Sequence, residues 1–271
     1  MAIIKGQFGE TWRYRTSRSD LLVWLCWLLA LCVIAVCLSY ISDKTIWAFV
    51  LSAPHEAIDL TSRMFPPDWP YSNALWRPLW DTFNIATLGT ALALLVSIPI
   101  AFCAAQNTTP SAVIVRPAAL FIIAASRSIN SLIWALLLVV IVGPGVFAGV
   151  LAIGLRSIGF CGKLLYEAIE EISTEPVEAV MATGASSSQV LAYGVVPQIM
   201  PAFAGISIFR WDINIRESTI LGLVGAGGIG LQLSASINNL DWSRVAVILI
   251  VILCTVIVSE WLSARIRAAL T

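Results

Sequence analysis

Long apolar runs separated by short polar turns constrain this chain more than any other feature. The first run, Leu21 to Ile41, is long enough to cross a bilayer as a helix, which takes roughly 20 residues at about 1.5 Å each. Six such runs occur, at about 21–41, 82–105, 118–142, 146–165, 201–223 and 243–263. Only 12% of the residues are charged, against about 25% in soluble domains. The sequence therefore predicts an all-α, polytopic membrane protein with a single transmembrane domain, residues 1–271, of about six helices.

Basic residues in the short flanks of the runs predict the orientation of the chain. The flanks assigned to the inner side hold Lys5, Arg13, Arg15, Arg18, Arg116, Lys163, Arg265 and Arg267. The turns at 143–145 and 224–242 hold no Lys or Arg, although the outer segment 42–81 carries three basic residues, Lys44, Arg63 and Arg77. Because short inner loops are enriched in Lys and Arg, we expect both termini and residues 167–200 to lie inside.

The predicted outer segment, residues 42–81, has more structure than a plain linker. Apolar residues recur at helical spacing from Ala53 to Phe65, and Trp69, Tyr71, Trp76 and Trp80 follow Pro66-Pro67. This pattern favours an interfacial helix that lies on the outer leaflet, and a packed loop is the alternative.

Residues 167–200 form a polar, acid-rich stretch inside an otherwise apolar chain. Pro176 can begin a helix there, since a proline in the first turn leaves no donor unpaired, and Ser173 and Thr174 can cap it. Glu178 is expected in the first turn, where the helix dipole favours an acid.

A glycine and two prolines divide this stretch. Gly184 is expected to end the first short helix and to let a second begin near Ser186, and Pro197 and Pro201 are expected to end the second. Two short helices joined at a glycine can present a knob to a groove on a soluble partner. An ordinary helical hairpin without a partner is the alternative.

The spacing within this stretch resembles the cytoplasmic coupling loop of ABC importer permeases, E-A-A-x-x-x-G followed after nine residues by I-x-L-P. Here it reads Glu178-Ala179-Val180, Gly184 and then Gly194-Val195-Val196-Pro197, with Val180, Gly194 and Val196 as departures. We therefore call residues 167–200 the coupling loop. Residues 81–90 resemble the start of the second span in these permeases, so that the likeness runs from about 81 to 267. The segments that resemble the phosphonate branch in particular are residues 127–136, 147–152, 159–164, 167–172 and 221–230.

The resemblance implies a type I ABC importer permease fold in a bacterial inner membrane. It implies the membrane subunit of an ATP-driven importer for a small phosphorus oxyanion such as phosphonate or phosphite. Its expected partners are a second copy of the chain, two ATPase subunits that bind ATP and Mg, an extracytoplasmic substrate-binding protein, and membrane lipid. The residues expected to contact the ATPase are Glu178, Ala179, Gly184, Ser187 and Pro197.

Charged residues inside the predicted spans mark a candidate path for the anion, because each costs about 2.5–3.5 kcal/mol at the centre of a span. Arg127 and Arg210 lie about 15 and 13 Å beyond the predicted inner ends of their spans. Arginine suits tetrahedral oxyanions through its planar fork of donors. The predicted path residues are Arg127, Ser128, Asn130, Arg210, Asn214 and Glu217.

Asp212 and Arg216 have the i,i+4 spacing of an ion pair on a second face of the fifth span, and we predict that this pair is structural. For all these charges, simple mutual neutralisation that locks helices together is the alternative to a path. Arg156 in the fourth span has no partner that the sequence identifies.

Two nucleotide-binding patterns are rejected. Gly225-x-Gly227-x-x-Gly230 matches a dinucleotide fingerprint by letter, but it follows a membrane span rather than a strand. These glycines are instead expected to permit a bend or close helix packing at the outer mouth. A Walker A loop is absent from the sequence, so we expect no catalytic residues and no cofactor in this chain itself.

The remaining composition excludes other classes. The net charge is zero, which argues against nucleic acid, and His55 is the only histidine, so that no metal site is predicted. An ABC importer permease for another small solute, such as an amino acid or another oxyanion, is the first alternative. A secondary transporter or channel is the second, although many such transporters have an internal repeat and none is visible here.

Overall fold

The computed structural model describes the backbone of residues 2–6, 9–13 and 17–270 and the side chains of residues 20–269. Contacts divide the chain into two units, residues 1–60 and 61–271, which are described separately. The side chains of Lys5, Arg13, Arg15 and Arg18, which contribute to the predicted orientation, lie outside the described residues.

The first unit begins with a short antiparallel hairpin that the sequence analysis did not predict. Strands β1 (Ala2–Gly6) and β2 (Gly9–Arg13) pair with Ala2 opposite Arg13. Helix α1 (Ser17–Lys44) follows and contains the whole of the first predicted span. Helix α2 (Trp47–Met64) begins in this unit and covers the helix predicted from Ala53, although it starts earlier.

The second unit is a bundle of helices. A 3₁₀ turn (Trp69–Leu75) leads into its first helix. The helices of this unit are α3 Trp76–Ala104, α4 Val115–Ser128, α5 Ser131–Val142, α6 Val146–Glu170, α7 Thr174–Ala182, α8 Ser187–Val190, α9 Val196–Leu221, α10 Ile229–Asn238 and α11 Trp242–Leu270. Within the described residues, five helical stretches are long and apolar enough to cross a membrane, or six if α4 and α5 form one broken span. The all-α polytopic prediction is therefore confirmed.

The third predicted span, 118–142, is not one straight helix. The chain bends by 87° between α4 and α5, at Ile129 and Asn130. Asn130 causes α5 to begin here, because its side chain accepts a hydrogen bond from the Leu132 amide (3.2 Å) as an N-cap does. The predicted tight turn at Gly143-Pro144-Gly145 does separate α5 from α6.

The coupling loop contains both predicted short helices, α7 and α8. Gly184 lies between them with a φ of 78°, in the left-handed region that glycine adopts without strain. Ser186 and Gln189 form a capping box at the start of α8. Glu178 lies one turn deeper in α7 than predicted, because α7 already begins at Thr174 and Glu175 occupies its first turn.

The prediction that Pro197 and Pro201 end the second helix is wrong. Helix α8 continues through one π-helical turn, Leu191–Val195, directly into α9. Pro197 is accommodated because it directly follows the π-helical turn, which interrupts the i→i−4 hydrogen bonding at that point. Residues 187–221 are therefore one continuous helical path from the coupling loop into the bundle.

The loops of the second unit lie at its two ends, where hydrogen bonds join neighbouring loops to one another. At one end, the Gly145 amide donates to the Gly225 carbonyl (3.0 Å), and Tyr71 Oη donates to Gln232 Oε1 (3.0 Å). At the other end, Asn107 Nδ2 donates to the Ile169 carbonyl (2.7 Å). The turns predicted to be outer thus share one end, and the coupling loop occupies the opposite end.

Helix α6 is the centre of the bundle, since it packs against α3, α4, α5 and α9. Gly159 permits the closest approach to α4: a Cβ atom placed there would lie 2.5 Å from the Ile123 carbonyl oxygen and 2.7 Å from Arg127 Cγ. Ser126 of α4 reinforces this crossing, because its Oγ accepts a hydrogen bond from the Gly159 amide (2.9 Å). The α4–α6 crossing therefore depends on the absence of a side chain at Gly159.

We predict that Gly159→Ala lowers the stability of the protein by about 1–3 kcal/mol, because the new methyl group must displace backbone. Gly205→Ala in α9 is the matched control: nothing lies within 4 Å of its added Cβ. The control should leave stability unchanged or raise it by up to about 1 kcal/mol through helix propensity. Thermal unfolding of the two purified variants in detergent measures the difference, and equal melting temperatures would contradict the crossing as described.

Candidate functional site: a buried charge cluster and the coupling loop

Polar side chains from four helices meet about midway along α3 and α6. We call this set the central polar cluster; it consists of Thr90 from α3, Ser131 from α5, Arg156 and Ser157 from α6, and Arg210, Asn214 and Glu217 from α9. It contains two guanidinium groups and one carboxylate. Burial of such charges in a membrane helix bundle is costly unless they are paired, so their arrangement determines which of them can bind a solute.

Glu217 is shared by the two arginines. Its Oε1 lies 2.6 Å from Arg156 Nη1, and both of its carboxylate oxygens lie 3.5 Å from Arg210 Nη2. Arg156 also donates to Ser131 Oγ at the start of α5 (3.2 Å). The carboxylate therefore joins α6 to α9, and Arg156 extends the connection to α5.

A chain of hydrogen bonds fixes Arg210 from its other side. Its Nε donates to Ser157 Oγ (2.8 Å), and Ser157 Oγ donates to Asn214 Oδ1 (3.2 Å). Asn214 Nδ2 in turn donates to Thr90 Oγ1 (2.7 Å). The guanidinium of Arg210 also lies over the ring of Phe160, 5.0 Å from its centroid. Arg210 is thus held by partners on three sides.

Arg210 and Asn214, both predicted to line a path, lie inside this cluster. Arg210 is 2% exposed and Asn214 is fully buried, so in this conformation their donors face protein partners. Within the cluster, the cation that solvent reaches is Arg156, whose side chain is 32% exposed. The sequence alone did not identify a partner for Arg156. Glu217, an acid of opposite charge in another span with no partner predicted for it, was the signal that could have identified one.

The break between α4 and α5 adjoins the cluster through Ser131. The predicted path residues Arg127, Ser128 and Asn130 are exposed at this break. Ser128 Oγ donates to the Ala125 carbonyl (2.8 Å), and Asn130 caps α5. Arg127 forms no hydrogen bond or ion pair with the described residues. Irregular backbone inside a membrane protein is tolerated where it lines a cavity or is covered by protein, so the break and its polar residues belong to an interior surface.

Asp212 and Arg216 come together as predicted from their spacing, with Oδ2 of Asp212 2.6 Å from Nη2 of Arg216. Ser259 of α11 donates to the other carboxylate oxygen (2.9 Å). The Asp212 side chain is 5% exposed, whereas that of Arg216 is 42% exposed. Asp212 therefore joins α9 to α11 on a face remote from Glu217.

The glycines predicted at the outer mouth form the reversal between α9 and α10. Gly225 and Gly227 have φ values of 90° and 83°. At Gly230 an added Cβ atom would overlap the Thr219 carbonyl oxygen of α9. The predicted bend and close packing are both present, on the end of the bundle opposite the coupling loop.

The residues predicted to contact a partner, Glu178, Ala179, Gly184, Ser187 and Pro197, are all exposed on the coupling loop. The side chain of Gln198, which no sequence motif marked, fixes the base of this loop. Gln198 accepts from the Ser173 amide (3.1 Å) and donates to the carbonyl oxygens of Ser173 (3.2 Å) and Gly194 (2.7 Å). The start of α7 is therefore attached to the start of α9.

A second attachment joins the α3–α4 loop to the end of α6. Glu170 Oε1 accepts from the Gln106 amide (2.9 Å) and lies 3.3 Å from Arg116 Nη2. Beneath it, the buried residues Ala101, Ala105, Leu165, Ile169, Val195 and Ile199 form one apolar cluster from the ends of α3, α6 and α9. Movement of the coupling loop must therefore move the ends of these three helices together.

Comparison with known proteins identifies the chain. Residues 97–271 match the family model described as the binding-protein-dependent transport system inner membrane component. The chain belongs to this family. It is accordingly a transport permease and an inner membrane component of a transport system.

Relatives and solved structures agree with this permease assignment. The chain is 42% identical over 208 residues to the phosphite transport system permease protein PtxC of Stutzerimonas stutzeri, covering 77% of this chain and 75% of the relative. It is 40% identical over 213 residues to the phosphate-import permease protein PhnE of Mycolicibacterium smegmatis, covering 79% and 40%. A chain of the inward-facing MetNI methionine ABC transporter superposes with a TM-score of 0.65 at 21% identity, covering 75% of this chain and 99% of that one. The permease therefore has the ABC importer fold that the sequence predicted.

We predict that Asp212→Leu destabilises the permease by about 1–2 kcal/mol, because the half-exposed Arg216 loses its carboxylate partner and the hydrogen bond from Ser259 is lost. The double change Asp212→Leu with Arg216→Leu should recover most of that loss, since no uncompensated charge remains. Thermal unfolding of the single and double variants tests this. A double variant no more stable than Asp212→Leu would show that the pair is not a local unit.

We predict that Glu170→Gln loosens the attachment between the α3–α4 loop and α6 by about 1 kcal/mol, because the charge opposite Arg116 is lost. Glu171→Gln is the matched control, since Glu171 is exposed and its side chain has no partner among the described residues. Amide hydrogen exchange in residues 105–114 should become faster in Glu170→Gln only. Equal exchange in both variants would contradict the attachment.

Proposed function

We propose that this permease is the membrane subunit of an ATP-driven importer for a small phosphorus oxyanion. The observation that carries the proposal is a partly exposed arginine with unused donors in the middle of a permease that is 42% identical to a phosphite transport permease. Such an anion needs cations or hydrogen-bond donors in place of its water when it crosses a membrane. Arg156 supplies them at the level of the broken span.

The polar break between α4 and α5 supplies the rest of the proposed path. Arg127 and Asn130 are exposed there, and the N-terminus of α5 carries the positive end of a helix dipole. Half-helices whose N-termini point toward anionic groups are a known solution for transport of anions at mid-membrane. In this proposal Glu217 and Arg210 set the charge of the path from behind Arg156.

The coupling loop is proposed to receive the force of a separate ATPase. Its exposed residues border an open groove of about 570 Å³ beside Val180, Gly184 and Tyr193, which a soluble partner can enter. The ends of α3, α6 and α9 converge beneath the loop, so a push there reaches these three helices. ATP and Mg are assigned to that partner, and the permease itself performs no covalent chemistry.

A second copy of the chain is proposed to complete the path. Arg216 is 42% exposed on α9, on a face that also exposes Phe209 and Ile220. A half-exposed arginine inside a transmembrane helix faces protein or water rather than lipid. The outer turns are proposed to receive an extracytoplasmic binding protein, with both termini and the coupling loop in the cytoplasm.

Reconstitution tests the proposed function directly. The permease, its ATPase and its binding protein are placed in liposomes, and uptake of radiolabelled phosphite is measured with and without ATP. We expect ATP-dependent uptake of phosphite that unlabelled phosphate or a phosphonate can reduce by competition and that methionine cannot. ATP-dependent uptake of methionine without uptake of any phosphorus oxyanion would overturn the assignment of substrate.

We predict that Gly184→Leu uncouples the complex. Leucine adds bulk at the exposed turn. It must also adopt the φ of 78° that the turn requires, which costs a residue with a Cβ atom about 1–2 kcal/mol. Gly184→Asn is the matched control, because asparagine tolerates the left-handed conformation. Stimulation of ATP hydrolysis by loaded binding protein should be lost in Gly184→Leu and retained in Gly184→Asn. Full stimulation in Gly184→Leu would contradict the docking site.

A further inference from the structure

We propose that Glu217 is an internal counter-ion, which the transported oxyanion displaces from Arg156 and which returns when the anion leaves. The inference deepens the proposed function and rests on it. It concerns the step at mid-membrane, for which the permease must hold an anion firmly enough to desolvate it and yet release it.

The first observation is the asymmetry of the two arginines that share Glu217. The Arg210 side chain is 3% exposed, whereas that of Arg156 is 32% exposed. Arg156 uses only Nη1 for Ser131 and Glu217, so its Nε and Nη2 have no acceptor among the described residues. An arriving oxyanion therefore meets Arg156 with free donors, and does not reach Arg210.

The second observation is that Glu217 has an alternative partner already in place. Both carboxylate oxygens lie 3.5 Å from Arg210 Nη2, slightly too far for a strong charged hydrogen bond, which is typically about 2.7–2.9 Å. A small rotation of the carboxylate toward Arg210 shortens these contacts while it lengthens the contact with Arg156. Glu217 thus leaves Arg156 without becoming an unpaired buried charge, which would be costly.

The third observation is that Arg210 cannot follow the carboxylate or the anion. Ser157 and the ring of Phe160 hold its guanidinium, and the Ser157 hydroxyl is itself connected to Asn214 and Thr90. A fixed guanidinium retains Glu217 next to Arg156 throughout the exchange. The carboxylate is then positioned to compete with the bound anion for Arg156, and this competition promotes release.

The charge of the cluster agrees with an exchange of anions. Two guanidinium groups and one carboxylate give the resting cluster a net charge of +1, which attracts an anion, and a bound monoanion makes the cluster neutral. Without the carboxylate the charge would be +2, which would bind the anion more tightly and release it more slowly. Glu217 therefore sets the balance between binding and release.

Binding of radiolabelled phosphite to the assembled transporter, permease with ATPase, in nanodiscs tests this inference. Glu217→Gln should bind phosphite at least about tenfold more tightly than the wild type and import it more slowly, because the competing carboxylate is absent. Arg156→Gln should lose the binding. Glu260→Gln removes an exposed carboxylate of α11 that has no partner among the described residues, so its affinity for phosphite should equal that of the wild type.

The double variant Arg156→Gln with Glu217→Gln keeps the inference testable if Glu217→Gln alone fails to assemble. It has the same net charge as the wild-type cluster, +1, since one cation and one anion are removed together. We expect it to assemble but neither to bind nor to import phosphite. If the ion pair were purely structural, this variant would import phosphite at the wild-type rate. That result would overturn the counter-ion role of Glu217.

The remaining outcomes separate this inference from the proposed function. If the wild type imports phosphite but Glu217→Gln assembles and binds phosphite no more tightly than the wild type, Glu217 is not a displaceable counter-ion. The substrate assignment then stands. If the wild type imports no phosphorus oxyanion, the proposed function fails and the inference fails with it.

Discussion

The pairing of one carboxylate with two guanidinium groups inside an apolar bundle is the interaction on which the rest of this structure depends. The buried Arg210 and the partly exposed Arg156 are stabilised at mid-membrane because Glu217 lies between them. Their hydrogen bonds to Ser131 and Ser157 extend this pairing, which fixes the relative positions of α5, α6 and α9. The same pairing places Arg156, a partly exposed cation with unused donors, beside an acid at mid-membrane.

Much of the fold could be predicted from the sequence, because long apolar runs and their length relative to a bilayer determine helices. The spans and the glycine-joined helices of the coupling loop followed from such local signals. The break of the third span did not, although Asn130 is a strong N-cap residue. A long apolar run concealed it, and only the tertiary structure shows that α4 and α5 diverge by 87°.

The candidate site was harder to predict, since helical spacing relates residues on one helix but not between helices. The spacing correctly paired Asp212 with Arg216. It did not predict the contact of Arg210 with Ser157, which lies on another helix. The partner of Arg156 lies 61 positions further along the chain, beyond the reach of any local pattern.

The connectivity of the chain relates the coupling loop to the charge cluster. Helix α6 carries Arg156 and leads into the loop, and the loop leads through the π-helical turn into α9, which carries Glu217. Arg156 and Glu217, whose charged atoms lie 2.6 Å apart, are therefore on the two helices that the loop connects. Gln198 and the apolar cluster beneath it prevent the loop from moving independently of these helices. Any displacement of the loop that shifts α6 relative to α9 consequently changes the distance between Arg156 and Glu217, and with it the competition for an anion at mid-membrane.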